Sequence, residues 1–134
     1  MTDPRETLAR IRKQADAATD GPWEHDPPPG PGEDPMRPIC VYPKEDGGTL
    51  AYVQPLEADA EFIAAARTDV PALLDALEKV LELHQPVTDG MGFTEDGYGG
   101  ISPACSSCGT SDEYAVPYPC PTVTAITTAL EATK

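Results

Sequence analysis

Positive charge is what this chain has least of. Nine lysines and arginines stand against 23 aspartates and glutamates in 134 residues, a formal net charge of −14 at neutral pH. A surface of that sign repels phosphate backbones and anionic headgroups, so neither direct nucleic-acid binding nor membrane association is expected. The deficit is uneven. The first 22 residues balance four acids with four bases, whereas residues 87–134 hold six acids and one base. The plain consequence is solubility. A sharper one is a surface that competes for a basic partner, as a nucleic-acid mimic does.

Aromatic residues are also scarce, at 6% of the chain, so a core must be built from Leu, Val, Ile and Ala. No stretch approaches the ~20 apolar residues of a membrane span. The opening MTDPRE has no apolar segment behind a basic one, so no secretory signal is expected and the expected compartment is cytoplasmic. Thiols stay reduced there, which favours metal ligation over disulfides for the four cysteines. Catalytic signatures are missing as well. With two histidines, no HExxH, no phosphate loop and no GxSxG, no enzymatic role is expected. Acid pairs such as Glu33-Asp34 and Glu95-Asp96 read as solvated charge, and TEDG lacks the alternating acids of a calcium loop.

Proline and glycine are abundant instead, 16 and 11 residues. They concentrate at Pro22–Pro43 and Gly90–Gly109. A loop-rich chain orders many residues without burying much surface and gains from a covalent or metal staple. The length fits a single domain over 1–134, with a Pro-rich loop at 22–38 and a zinc-binding part over 84–134.

The local signals predict an α+β fold with about four helices and a small antiparallel hairpin or three-stranded sheet. Asp3-Pro4-Arg5-Glu6 is a helix start, with Asp3 as cap, Pro4 at the first helical position and Glu6 as the capping-box acid. Leu8, Ile11, Ala15 and Ala18 follow at helical spacing, and Asp20-Gly21-Pro22 ends the run. Trp23, the lone Trp, is expected to anchor the turn. Asp26–Pro38 reads as an exposed loop of extended character rather than an SH3-type ligand, since PPPGPG has acids beside it and no basic anchor. Ile39–Tyr42 and Thr49–Val53 predict a hairpin closed by Lys44–Gly48, with Trp23-Glu24-His25 as a candidate third strand. Cys40 alternates with Tyr42 and reads as a small buried side chain.

Two helices are then expected. The first covers Asp59–Arg67, with Phe62, Ile63 and Ala66 on one side. The second is capped by Thr68-Asp69-Val70-Pro71 and presents Val70, Leu73, Leu74, Leu77, Val80, Leu81 and His84 on one face. Pro86 ends it, Gly90–Gly100 reads as a flexible loop, and Pro121 opens a last helix through Val123, Ile126 and Leu130.

The chemistry lies in the cysteines. Cys105-Ser-Ser-Cys108-Gly109 has the spacing that lets two thiolates face one ion, with Gly after the second Cys for the tight turn. Cys120 precedes Pro121 and so falls at a helix N-cap, where the helix dipole favours a thiolate. A redox CxxC would open a helix, whereas this one is expected in loop on both sides. A closed structural Zn2+ site needs a fourth ligand. His84, seven residues beyond Leu77 on the apolar face, is the candidate, with a satisfied helix-end histidine as the alternative and His25 and Cys40 in reserve.

Three blocks carry a resemblance. Ala58–Leu74 (ADAEFIAAARTDVPALL) resembles a segment of small actinobacterial and actinophage proteins of unknown function, and is similar to the NAEFIAAA…LL segment of Ead-type accessory proteins of lambdoid phages. Ala17–Trp23 (AATDGPW) and the closing CxxCG…YPCPT resemble pieces of the same actinophage proteins. Together they cover about half the chain and leave out the Pro-rich loop. In that family a His near the preceding helix end often accompanies the cysteines, in the place His84 takes here, although the Gly90–Gly100 loop is longer than the family's spacing. The resemblance implies a phage or prophage accessory protein. The expectation is a zinc-stabilised protein-interaction module that modulates a host protein, with an acidic decoy and a small metalloenzyme as alternatives. A homo-oligomer is left open.

Overall fold

In the computed structural model the described residues are 3–45, 47–54, 57–87, 92–94, 97–100, 103–110 and 114–132. The chain order is α1 (Pro4–Ala17), β1 (Trp23–His25), β2 (Ile39–Pro43), β3 (Ala51–Val53), α2 (Glu57–Leu83), β4 (Pro86–Val87), β5 (Gly92–Thr94), β6 (Gly97–Gly100), β7 (Ala104–Thr110), β8 (Tyr114–Pro117) and α3 (Pro121–Glu131). The architecture is α+β. Strands β1-β2-β3 form one antiparallel sheet, β4-β7-β8 a second, and β5-β6 a separate two-stranded pair. No helix among the described residues is long and apolar enough to cross a membrane. The chain divides into two compact units: Ile11–Leu74, and the residues before and after that stretch. Helices α1 and α2 each run from one unit into the other.

The unit at Ile11–Leu74 is the sheet β1-β2-β3 covered by the first part of α2. Period-two alternation buries Ile39, Val41 and Pro43 on one face of β2 and leaves Cys40 and Tyr42 half-buried on the other. Ile39 and Val41 pack with Ala60 and Ala64 of α2, and Trp23, Ala51, Val53 and Ile63 close the cluster. Trp23 is half-buried and its Nε1 donates to the Thr19 carbonyl at 3.1 Å, so it anchors the turn and opens the third strand. Part of the hairpin turn, Asp46, lies outside the described residues. The Pro-rich loop is tied around Arg37, whose Nη2 donates to the Pro27 carbonyl and to Glu33 Oε2. The Gly30 N–H and the Arg37 guanidinium hold the Glu33 carboxyl below its usual range.

Three expectations are corrected here. The described residues contain three helices, not about four, because α2 runs unbroken through Pro71. Proline costs roughly 3 kcal/mol inside a helix and leaves the Arg67 carbonyl without its usual donor. The alanine-rich stretches on either side favour helix, and side chains are buried both before and after it, Ala64 and Leu74, so the segment stays continuous. The apolar face is also placed differently: Ala60 and Ala64 are buried, while Phe62 is 76% and Leu73 63% exposed. Finally, part of the expected Gly90–Gly100 loop is the β5-β6 pair, although the TEDG acids lie outside the described residues.

In the other unit, Asp3 caps α1 by accepting from the Arg5 N–H at 2.9 Å, and Pro4 fills the first helical position. Its buried residues include Leu8, Leu81, Ala104, Val123 and Thr127. The last of these escapes a reading by hydrophobicity. Thr127 can be buried because its hydroxyl donates to the Val123 carbonyl one turn back, at 2.8 Å.

Candidate metal centre

Three elements bring four side chains to one point. His84 directly follows the end of α2 at Leu83, so its ring projects from the last turn of that helix. Cys105 and Cys108 lie within β7, not in a loop as the sequence suggests. The pairing of β7 with β8 shifts register between Ala104 and Gly109, and this irregularity is the knuckle that turns both sulfurs the same way. Ser106, between them, donates its hydroxyl to the Leu83 carbonyl and accepts from the Gln85 N–H, both at 2.9 Å, while its own N–H bonds the Gln85 carbonyl at 2.8 Å. Cys120 is the N-cap of α3 in extended conformation, with Pro121 following as expected.

His84 Nδ1 lies 3.3 Å from Cys105 Sγ, 3.4 Å from Cys108 Sγ and 3.5 Å from Cys120 Sγ. All four donor atoms fall within 4.8 Å of one another. Three hydrogen bonds cannot explain this, because an imidazole nitrogen offers either one proton or one lone pair, in one direction. A shared ion can. Bonds of about 2.3 Å to sulfur and about 2.0–2.1 Å to nitrogen separate N and S by about 3.5 Å around a regular tetrahedron. The observed spacings are those edges.

Electrostatics point the same way. Loss of water, followed by the neighbouring Cys120 and Cys105 sulfurs, pushes the Cys108 thiol up to about 12. At Cys120, burial opposes the charge. The Val123 N–H, the other two cysteines and the Thr122 N–H outweigh it and hold this thiol below the usual range, although Sγ makes no regular cap hydrogen bond. One end of the cluster therefore favours a thiolate while another resists becoming one. A divalent cation resolves that conflict by replacing protons with its own charge. Since Cys108 carries its proton at neutral pH, ion binding must expel at least that one. The sign follows: affinity for the ion falls as pH falls, by at least about tenfold per pH unit, because each proton released weights the equilibrium by one decade per unit. Chelator competition between pH 6 and 8 measures this, and a flat profile would contradict it.

The structure also supplies a residue the sequence reading missed. Arg5 Nη2 donates to the Leu81 carbonyl at 2.8 Å and to the His84 carbonyl at 3.2 Å, and Nη1 donates to Tyr118 Oη at 2.8 Å. It thus joins the C-terminus of α2, which carries His84, to the segment that leads to Cys120. The only signal for it was its place three residues before Leu8 on α1. His25 and Cys40 take no part in the cluster. Both lie on the first sheet, where His25 Nδ1 meets the Asp26 carbonyl at 2.8 Å.

Fold and site together define an α+β protein with a His/Cys3 cluster that could hold a metal ion. No family model, curated protein or solved structure matches the chain, so the cluster itself carries the functional argument.

Proposed function

We propose that His84, Cys105, Cys108 and Cys120 hold one structural zinc ion, and that the protein is a zinc-stabilised interaction module of the kind a phage or prophage encodes to modulate a host protein. The carrying observation is the donor set. Three sulfurs and one imidazole nitrogen suit zinc, the nitrogen lies at tetrahedral-edge distance from each sulfur, and the four would fill its four positions. A filled set leaves no place for water or substrate, and among the described residues no carboxylate joins the four. Both features favour a structural role over the metalloenzyme reading. The accessory role rests on the three resembling sequence blocks, and the modulating role on large apolar side chains left exposed. The charge of −14 favours the acidic decoy as a second reading.

Affinity purification of the full chain from a host lysate, with metal measured on the same sample, tests all three. The expected result is one zinc per chain and a partner retained at about 0.5 M salt, where the Debye length is under ~5 Å and surface attraction is screened. A partner released by that salt would favour the decoy. A chain purified without zinc would defeat the structural-zinc reading.

A further inference from the structure

The geometry points to the outward face of α2 as the docking surface for an amphipathic helix of a partner protein, one presenting Arg or Lys between two apolar side chains. This deepens the interaction reading above and rests on it.

Phe62, Asp69 and Leu73 are seven and four residues apart and lie within about 20° of one line along the helix. All three are exposed, Phe62 and Leu73 by 76% and 63%, and the small Ala65 is exposed beside them. The line is about 16 Å long. The opposite side of the helix is already occupied. Ala60 and Ala64 are buried there against β2, and Pro71, half a turn from the line, lines a groove with Trp23 and Val70. The exposed stripe is therefore surplus to the fold. Nothing in the core requires a phenylalanine at 62, where alanine or a charged residue would serve the helix better in water.

The carboxylate of Asp69 decides the occupant. A single charge flanked by two large apolar groups is the arrangement in which a partner's charge becomes shielded from water on docking, and it selects a cation of matching position. The one basic residue between Phe62 and Leu73 is engaged elsewhere, since Arg67 Nε donates to the Thr19 carbonyl at 2.9 Å. A second copy of the chain fits badly. Antiparallel pairing of Phe62 with Leu73 brings the two Asp69 carboxylates near each other across the twofold axis, and each copy carries a net charge of −14. A basic helix meets neither obstacle.

The test titrates the full-length protein into fluorescently labelled 18-residue amphipathic helical peptides, identical except for Arg, Ala or Glu at the centre of the apolar face. The expected order is Arg tightest, Ala weaker and Glu weakest. Phe62→Ser or Leu73→Ser should lower affinity at least about tenfold, as central apolar anchors do. Asp69→Lys should reverse the order of the three peptides. Since all three positions are exposed, unchanged thermal unfolding of the variants separates loss of binding from loss of fold. Glu131→Gln, a charge removed from α3, should leave affinity unchanged.

Equal losses at Glu131 and Asp69 would mean nonspecific attraction and overturn the proposal. So would the absence of saturable binding, or a wild-type dimer that Leu73→Ser makes monomeric. Failure of the wider reading looks different. If a host partner is captured equally by the wild type and by Phe62→Ser, the protein is an interaction module but this face is not its surface. If neither captures a partner and no peptide binds, the interaction reading itself fails.

Discussion

Cys105→Ser and Cys120→Ser should each abolish stoichiometric zinc binding and lower the thermal unfolding midpoint by about 10 °C or more. A serine hydroxyl keeps the size of the thiol but does not ionise at neutral pH, so the ion loses one of its four bonds and one of its negative charges. Structural zinc contributes about 10–16 kcal/mol in small zinc-binding peptides, comparable to or larger than the roughly 5–15 kcal/mol that stabilises a whole domain. With an unfolding entropy of ~2.1 cal/mol/K per residue, even a loss of about 3 kcal/mol shifts the midpoint of a 134-residue chain by about 11 °C. Cys120 is fully buried and Cys105 5% exposed, so water cannot replace the missing ligand without opening the cluster. Metal analysis after dialysis, paired with thermal unfolding, gives the result directly. Cys40→Ser is the control: that half-buried side chain stands outside the cluster, and zinc should remain at one per chain. Variants at 105 and 120 that keep both metal and midpoint would sink the assignment.

Arg5→Ala should weaken zinc affinity by about tenfold or more, although Arg5 cannot itself ligate a cation. Groups that orient a ligand from the next layer out typically cost 10–100-fold in metal affinity when removed. Here the guanidinium binds the His84 carbonyl, the Leu81 carbonyl, which also accepts from the His84 N–H and Gln85 Nε2 at 3.2 Å each, and Tyr118 Oη. Charged hydrogen bonds of this kind contribute about 1.5–3 kcal/mol each when buried. The Arg5 side chain is 32% exposed, so solvent screening brings the expected loss of stability for the whole group to about 2–3 kcal/mol. Arg5→Lys should recover only part, because an ammonium cannot reproduce a planar fork spanning three acceptors. Cobalt substitution distinguishes positioning from general stability. If Arg5 sets the His84 orientation, the cobalt absorption bands of folded Arg5→Ala protein shift in energy or intensity. Unchanged bands and unchanged affinity would leave Arg5 a purely structural residue.

How much of this was legible in the chain varies with the range of the forces involved. The α1 cap at Asp3-Pro4, the strand at Trp23 and the N-cap position of Cys120 were readable because a few adjacent residues determine them. The break expected at Pro71 does not occur, for the same reason in reverse. The local effect of proline is overridden by buried residues on both flanks. The β4-β7-β8 sheet was missed because strands of two to seven residues, interrupted by a knuckle, carry almost no period-two signal. Arg5 had no signal beyond a place on a helix face, since its partners lie 76 to 113 residues away.

The metal centre divides along the same line. The chemistry is legible in the residues alone: three thiols, two of them at knuckle spacing and one before a helix, in a loop-rich chain that gains from a staple. Ligand type and short spacing are local properties, and they survive without a fold. The fourth member of the cluster comes from the fold, which places His84 Nδ1 within 3.5 Å of all three sulfurs and leaves His25 and Cys40 on another sheet. Nothing local distinguishes two histidines. What separates them is the company of the last turn of α2, whose hydrogen bonds to Ser106 and Arg5 hold His84 beside the cysteines.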